Sequence, residues 1–383
     1  MIISYLEILN ILLEDKHPMT TISHITRHLE ALAPLAYQES YDNAGLITGE
    51  AQTEVTGILI SLDATEHVVA EAVRKGCNLV VAHHPIVFGG LRKINRSHYV
   101  GRAIVRAIQN DIAIYAAHTN LDNVAGGVNF RIARQLGLQN SRILKPKTRT
   151  LRKLTVFVPA AHTEPLLAAL HQAGAGVIGN YSECSFRTAG TGAFTPNAAA
   201  QPHMGRAGSP EQVAENRVEV MFPVHLSARV LAAMRQSHPY EEVAHYVQDL
   251  ENENQEVGAG VVGTLAAPME EQDFLNHLKG RMAAGCVRHT ALRGQPVRTV
   301  AVCGGAGISL LPDAIRAAAD VFVTADVKYH EFFEAEGEII LADIGHYESE
   351  AFTKDLISGY LSEKFPTIAV ILAETVTNPV FYL

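Results

Sequence analysis

Short apolar strands alternate with helical stretches in two separate parts of this chain, and this alternation limits the fold more than any other feature. Residues 55–88 predict a β-α-β unit whose first strand ends at Asp63 and whose second strand ends before His83. A third predicted strand covers residues 112–117. Strands joined through helices form parallel sheets that helices cover. We therefore expect an α/β domain.

The same alternation returns near the C-terminus. Predicted strands at residues 297–303 and 321–325 flank a helical stretch, and the sequence IILADIGHY adds a third strand. We expect one long helix to follow it, through SEAFTKDLISGYLSEKF. The two regions predict two related α/β modules, although their side chains hardly match.

A different order of elements separates the two modules. Residues 151–256 alternate strands and helices in the split β-α-β order that is typical of a ferredoxin-like α+β domain. A stretch rich in Gly, Ala and Pro, residues 188–209, predicts a mobile loop. We therefore predict one α/β domain formed by residues 1–150 and 257–383, with residues 151–256 inserted as a second domain.

Composition and charge exclude several classes of protein. Hydrophobic residues make up 48% of the chain and charged residues 19%, which favours a packed core over disorder. Apolar runs are shorter than the roughly 18 residues that span a membrane, and the first residues carry no basic leader, so we expect a cytoplasmic protein. The net charge of −9 opposes binding to nucleic acid.

Position along the predicted strands selects a candidate metal site. The spacing His-x-x-x-Glu occurs four times, against about once by chance, so spacing alone selects nothing. In open α/β sheets, sites form at the carboxyl ends of the strands. Three imidazoles and two carboxylates lie at such ends: His83, His84, Asp122, His346 and Glu350. This mixture suits Zn, Mn or Fe(II), and five ligands suit two ions that share a carboxylate.

The two adjacent histidines set a condition on this site. Successive residues of a regular strand point to opposite faces. His83 and His84 can therefore serve one cluster only if the strand has already ended, and Pro85 favours such an end. The alternative is that these histidines are ordinary surface residues of loops.

Weaker candidates lie near the same strand ends. Arg92 and Lys93 could contact an anionic substrate, although a solvated surface is the commoner place for such side chains. Asp63 and His330 could contact the metal ligands or the substrate without binding the metal themselves. The glycine-rich turn at residues 304–307 could bind phosphate through its backbone amides or could simply be a tight turn.

Five ordered motifs carry a resemblance to a known family. The chain resembles the Nif-three-like family, whose members are known as GTP cyclohydrolase type-two homologs, over roughly residues 20–148 and 258–383. The insertion resembles the CutA/PII-like domain of its longer bacterial members. Tyr41 replaces a common Trp, the sequence TAD replaces T-G-D, and about 20 extra residues precede the match. The motifs are YDNAGLITGE (41–50), VVAHHPIVFGG (80–90), HTNLDN (118–123), TADVKYHEFFEA (324–335) and DIGHYESE (343–350).

The resemblance implies a toroidal homohexamer with a dinuclear metal site in each subunit. The family's ligands fall on the same five residues that strand position selects. It also implies two divalent ions, with Zn the first choice and Mn or Fe as alternatives, and a nucleotide substrate. GTP ring opening with release of formate is the implied reaction. His118 and Glu348 are candidate proton shuttles, His118 because the pKa of histidine lies near working pH.

Two other functions stay open. Paired ions also clamp an in-line displacement, which would make the chain a two-metal phosphoesterase. The third reading is a metal- or nucleotide-responsive regulatory scaffold without catalysis, in which the insertion is the sensor.

Overall fold

The structure, a computed structural model, describes residues 19–383. The chain divides into two compact units, of which one contains the chain up to Lys145 and from Gly258 onward. The other unit is Pro146–Val257, slightly longer at both ends than the insertion expected at 151–256. Most of the N-terminal extension that precedes the family motifs lies outside the described residues. Within residues 19–383, every helix is too short or too polar to cross a membrane.

The N-terminal part of the first unit begins with a helix and then alternates strands and helices. Its elements, in chain order, are α1 (Ile22–Leu32), β1 (Gly45–Thr48), β2 (Ile58–Asp63), α2 (Glu66–Arg74), β3 (Leu79–His84), α3 (Tyr99–Gln109), β4 (Ala113–Ala116), α4 (Thr119–Asp122), α5 (Val128–Gln135) and β5 (Gln139–Lys147).

The second unit has six main elements in the order β-α-β-β-α-β, which is the ferredoxin-like order. Its strands form one antiparallel sheet in the spatial order β7-β8-β6-β9. The elements are β6 (Leu151–Pro159), α6 (Thr163–Gln172), β7 (Phe186–Phe194), β8 (Glu211–Pro223), α7 (Ser227–Ser237) and β9 (His245–Leu250).

Strand β7 corrects the expected mobile loop at 188–209, because the first part of that segment is paired. All nine residues of β7 pair with β8. Gly192 lies against the side chain of Glu215 on β8, and a Cβ there would come within 2.1 Å of Oε2, so that the carboxylate would have to move. Gly and Ala are depleted in strands generally, so the sequence pattern did not indicate a strand here.

The C-terminal part of the first unit repeats the alternation. Where one long terminal helix was expected, the structure has two, α10 and α11, separated by Ala351 and Phe352. The elements are β10 (Asn254–Met269), α8 (Glu271–Arg281), β11 (Arg288–His289), β12 (Val297–Val302), α9 (Leu311–Arg316), β13 (Val321–Thr324), β14 (Ile340–Asp343), α10 (His346–Glu350), α11 (Thr353–Lys364) and β15 (Val370–Leu372).

The first unit contains two sheets, and each has a run of adjacent parallel strands. The first sheet has the order β1-β4-β3-β2-β15, in which the four strands β4, β3, β2 and β15 are parallel. The second has the order β11-β14-β13-β12-β10-β5, in which β12, β13 and β14 are parallel. The prediction of a mixed α/β fold is confirmed. Because parallel strands end at the same edge of a sheet, each module presents its strand tips together.

Local sequence explains how the helices cover these sheets. Thr65 caps α2 by accepting a hydrogen bond from the backbone N–H of Val68 (3.3 Å), as expected of a threonine before a helix. Val68, Val69 and Ala72 then lie on one face of α2 and are fully buried in a core cluster with residues of β2 and β3. This packing holds the strand tips of the first module in place.

Glu71 on α2 anchors the C-terminal segment to the first module. It is 1% exposed and accepts hydrogen bonds from the backbone N–H groups of Glu374 (2.8 Å) and Thr375 (2.9 Å). The Thr375 hydroxyl (2.6 Å) and Lys75 (3.0 Å) also contact it. Burial would raise the pKa of Glu71, but these hydrogen bonds lower it to about 2. His67 and Glu71 form one of the four His-x-x-x-Glu matches, and the contacts of Glu71 give this glutamate a structural role.

Replacing Glu71 tests this anchor. We expect Glu71→Gln to lower the free energy of unfolding at pH 6 by roughly 1–3 kcal/mol, because an amide cannot accept all four bonds. A carboxylate with a lowered pKa stabilises the fold above its unfolded pKa and loses that effect as pH falls toward its folded pKa. The difference between wild type and variant should therefore shrink between about pH 4.5 and pH 2. Urea unfolding at several pH values measures it.

Glu66→Gln on the same helix is the matched control. Glu66 forms partly exposed ion pairs with Arg102 and Arg106, and such pairs contribute at most about 1 kcal/mol. An effect of Glu71→Gln that stays constant from pH 6 to pH 3 would contradict the ionised anchor.

Candidate metal centre

The structure brings all five predicted metal ligands together. His83 and His84 end β3, Asp122 ends the short helix α4 after β4, and His346 and Glu350 begin and end α10. The buried Glu350 carboxylate lies at the centre of this group. Its Oε2 is 2.9 Å from Nε2 of His84 and 3.1 Å from Nε2 of His346. Its Oε1 is 3.8 Å from Nε2 of His83.

The expected end of the strand before His83 is wrong. Strand β3 runs through His84, which still pairs with Asp63 of β2. The two imidazoles nevertheless reach one cluster, with ring centroids 4.9 Å apart and planes inclined by 45°. An imidazole nitrogen lies several ångströms beyond Cα, so at the last two residues of a strand both rings can turn toward the open edge.

Hydrogen bonds fix which nitrogen each histidine presents. Four imidazoles each place Nδ1 against an oxygen that can only accept, so Nδ1 carries the proton and donates it. In the neutral ring the lone pair is then on Nε2, the form that binds metals. The pairs are His83 with the Ala117 carbonyl (2.7 Å), His84 with Asp63 (2.8 Å), His118 with Asp42 (2.7 Å) and His346 with Asp326 (2.8 Å).

Two overlapping sets of ligand atoms could hold a metal. In each set the atoms lie within 4.8 Å of one another, and His84 belongs to both. His118, expected as a proton shuttle, is a member of the first set and can therefore also act as a ligand. The sets are His83, His84 and His118, and His84, His346 and Glu350.

Two buried polar atoms show that these residues fit the implied cations. Nε2 of His83 and Oδ1 of Asp122 are buried, 3.7 Å apart, and neither has a hydrogen-bond partner among the described residues. A buried polar atom without a partner costs free energy and therefore calls for an explanation. A cation between the nitrogen lone pair and the carboxylate oxygen would satisfy both atoms.

The charges of the cluster also favour a cation. Burial would lower the pKa of His84, but hydrogen bonds to Asp63 and Glu350 raise it to about 10. Burial would likewise lower the pKa of His346, but Glu350 raises it to about 9. Burial raises the pKa of Asp122 to about 7. Burial would also raise the pKa of Glu350, but the surrounding imidazoles lower it well below its usual range. The ionised carboxylate therefore draws positive charge to this point.

The glycine-rich turn after β12 packs against this carboxylate. Gly305 has φ +61°, and a Cβ there would lie 2.5 Å from Oε1 of Glu350. Three of the four amides of the turn already donate hydrogen bonds within the protein, which supports the tight-turn alternative over phosphate binding. They donate as follows: Gly304 to Asn129, Gly305 to Ser349 and Gly307 to Thr324, each at 2.9 Å.

Two carboxylates that hold imidazoles of the cluster were not predicted from the sequence. Asp42 holds His118, and Asp326 holds His346. Burial would raise the pKa of Asp42, but hydrogen bonds from His118 and Thr119 lower it to about 2, so it stays ionised as an acceptor. Asp42 lies in the family motif YDN and Asp326 in the family motif TAD, and their place in these motifs could have indicated a role at the site.

The remaining predicted residues divide between the cluster and the surface. Asp63 holds His84, as a supporting residue would. Glu348 is buried and accepts a hydrogen bond from the side chain of Asn378 (3.1 Å). Arg92, Lys93 and His330 are exposed, and among residues 19–383 none of the three bonds to the cluster. The His330 ring instead contacts the neighbouring rings of Tyr329 and Phe333.

A cavity of about 520 Å³ opens beside His84 and His346. Its volume is within the range of small-molecule sites. Leaving the two histidines aside, four of the five charged residues of the lining are acidic, and the fifth, Arg288, is paired with Asp343. An anionic ligand would therefore depend on bound cations for its charge balance. Besides the two histidines, the charged and aromatic residues of the lining are Asp63, Arg288, Asp326, Asp343, Tyr347, Glu348 and Tyr382.

Comparisons with known proteins agree with this architecture. Residues 20–379 match the sequence model of the family Duf34/NIF3 (NGG1p interacting factor 3). A protein of Bacillus subtilis (strain 168) named "GTP cyclohydrolase 1 type 2 homolog" is 38% identical over 365 residues, which cover 94% of this chain and 98% of that protein.

Solved structures give the same result. A Bacillus cereus protein related to NIF3 is 36% identical with a TM-score of 0.83, over 95% of this chain and 100% of that chain. A Staphylococcus aureus protein is 29% identical with a TM-score of 0.76, over 95% of this chain and 99% of that chain. As the five motifs predicted, the chain belongs to the Duf34/NIF3 family.

Proposed function

We propose that this chain is a metal-dependent hydrolase whose centre holds two divalent ions. The observation that carries the proposal is the buried, unpartnered pair of ligand atoms on His83 and Asp122. The four imidazoles that turn Nε2 inward support it, because such orientation by a second hydrogen bond is usual for metal-binding histidines. Zn suits this mixture of nitrogen and carboxylate ligands, and Mn or Fe(II) are alternatives.

The chain's own residues divide into ligands and proton carriers. His83, His84, Asp122, His346 and Glu350 would hold the ions. When bound, two divalent ions supply Lewis acidity that activates water for hydrolysis near neutral pH.

His118 and Glu348 are the proposed proton carriers. His118 lies at the edge of the cluster, where it either completes the ligand set or carries a proton on Nε2. Glu348 lines the cavity, with one carboxylate oxygen held by Asn378, so its other oxygen can exchange a proton with a bound substrate.

A nucleotide is the proposed substrate. The cavity beside the cluster has room for a small molecule, and the name of the Bacillus subtilis relative suggests GTP. One water would add at C8 of guanine and open the ring to a formamide, and a second water would hydrolyse this formamide to release formate. Bound cations would reduce the repulsion between the acidic side chains of the lining and the negative triphosphate.

We also propose the toroidal homohexamer that the family resemblance implies. Sedimentation or gel filtration tests it.

Incubation with GTP tests the reaction. Protein reconstituted with Zn, Mn or Fe(II) should release formate together with a ring-opened product, and metal-free protein should not. Turnover no higher than the metal-free control would contradict GTP hydrolysis. Phosphate release without formate would favour the two-metal phosphoesterase. A thermal shift with nucleotides but no product would favour the regulatory scaffold.

Two His-x-x-x-Glu pairs lie sixteen residues apart and allow a matched test of the ligands. We expect His346→Ala and Glu350→Ala each to remove at least one metal ion per subunit, because each deletes a ligand that its neighbours cannot replace at the right geometry. His330→Ala should leave the metal content nearly unchanged, since His330 is exposed. Metal analysis after gel filtration without free metal measures all three. An empty His330→Ala beside a loaded His346→Ala would reverse the assignment.

The turn glycine gives a second test of the centre. We expect Gly305→Ala to weaken metal binding at least about 10-fold, because its Cβ would displace the Glu350 carboxylate. Gly337→Ala is the control, since Gly337 also has a positive φ (+76°) but open space around it. Both variants should lose similar stability from backbone strain, about 1 kcal/mol. Equal metal affinity of both variants in a chelator competition would show that Gly305 is not needed for the site.

A further inference from the structure

The C-terminal segment runs from the first sheet across the metal centre. Strand β15 pairs in parallel with β2, and the backbone N–H of Ala373 then donates to the carbonyl of Ile60 (2.8 Å). The next two residues are bound by Glu71, as described above. These contacts fix the course of the segment and place Thr377 beside Asp63, at the end of β2.

At that tip Thr377 completes a chain of hydrogen bonds to the cluster. The Thr377 hydroxyl donates to Oδ2 of Asp63 (2.5 Å). The other oxygen of the same carboxylate accepts from Nδ1 of His84 (2.8 Å). His84 is the imidazole that belongs to both sets of candidate ligand atoms. With both oxygens engaged, the carboxylate plane and therefore the His84 ring have one favoured orientation.

Asp63 needs this second contact because its side chain is not enclosed. It is 34% exposed, and the χ2 torsion of aspartate has a broad energy minimum. Without Thr377, water would compete for Oδ2 and the carboxylate would rotate more freely. Asn378 keeps Thr377 in place, since its side chain donates to Glu348 (3.1 Å) and accepts from the N–H of Val380 (3.0 Å).

We propose that Thr377 is a positioning residue of the metal centre, which acts through Asp63 to hold His84 in its ligating orientation. The proposal rests on the metal site of the proposed function. It assigns a role to a residue 314 positions away from Asp63 in the sequence. The C-terminal segment is thereby part of the site.

Zinc affinity of four variants, measured by chelator competition, tests the proposal. Loss of a residue that holds a metal ligand typically costs 10–100-fold in affinity, which we expect for Asp63→Asn. Thr377→Val acts one bond farther away and should cost about 3–10-fold. Thr377→Ser keeps the hydroxyl and should restore affinity to within about twofold of wild type. Thr375→Val removes only the hydroxyl bond to Glu71 and keeps the backbone N–H bonds of Glu374 and Thr375 to the same carboxylate, so it should lower stability while leaving zinc affinity unchanged.

Two outcomes would overturn the proposal. One is a Thr377→Val variant that binds zinc like wild type while Asp63→Asn binds it weakly. The other is an equal loss in Thr375→Val and Thr377→Val, which would mean that the segment acts only through general stability.

A readout on the metal-free chain separates this proposal from the proposed function. If the wild-type chain binds no zinc, the metal site itself is wrong. The exchange of the His84 Nδ1–H proton with water, followed by NMR without metal, then decides about Thr377. Faster exchange in Thr377→Val supports the positioning role, and an unchanged rate contradicts it.

Discussion

Each of four histidines of the candidate metal centre donates its Nδ1–H to an oxygen held by the fold, and the arrangement of the site depends on these four hydrogen bonds. Three of the acceptors are carboxylates at strand or turn positions, and the fourth is the backbone carbonyl of Ala117. Because a ring that donates from Nδ1 presents Nε2 on its far side, four rings from different parts of the chain turn the same nitrogen toward one place. The hydrogen bonds of the protein alone therefore orient these rings.

Neither α/β module holds the complete ligand set. The first module supplies His83, His84 and Asp122, and the second supplies His346 and Glu350. Glu350 joins them, since its two oxygens face imidazoles of both modules. The close approach that this needs is possible because the turn after β12 has a glycine beside the carboxylate. A buried acid among imidazoles is costly alone, which suits a centre that a cation completes.

Local pattern was sufficient to find the strands that end at the site, although it ended β3 two residues too early. The strands ending near Asp63, His84 and Asp343 are runs of buried apolar residues between polar tips, and such runs are recognisable without knowledge of their neighbours. Pattern failed for β7, whose glycines and alanines are uncommon in strands and which becomes a strand by pairing along its whole length with β8. It failed again at Ala351 and Phe352, where two helices replace one.

The sequence by itself determined the α/β alternation, the inserted unit and the five candidate ligands, because each depends on a residue's place relative to its own strand or helix. Only the tertiary structure decided which oxygens orient the imidazoles. Asp42 and His118 are 76 positions apart, and Thr377 and Asp63 are 314 apart. No short-range periodicity connects such pairs, since their contact follows from how strands of one sheet pair and where a returning segment crosses their ends.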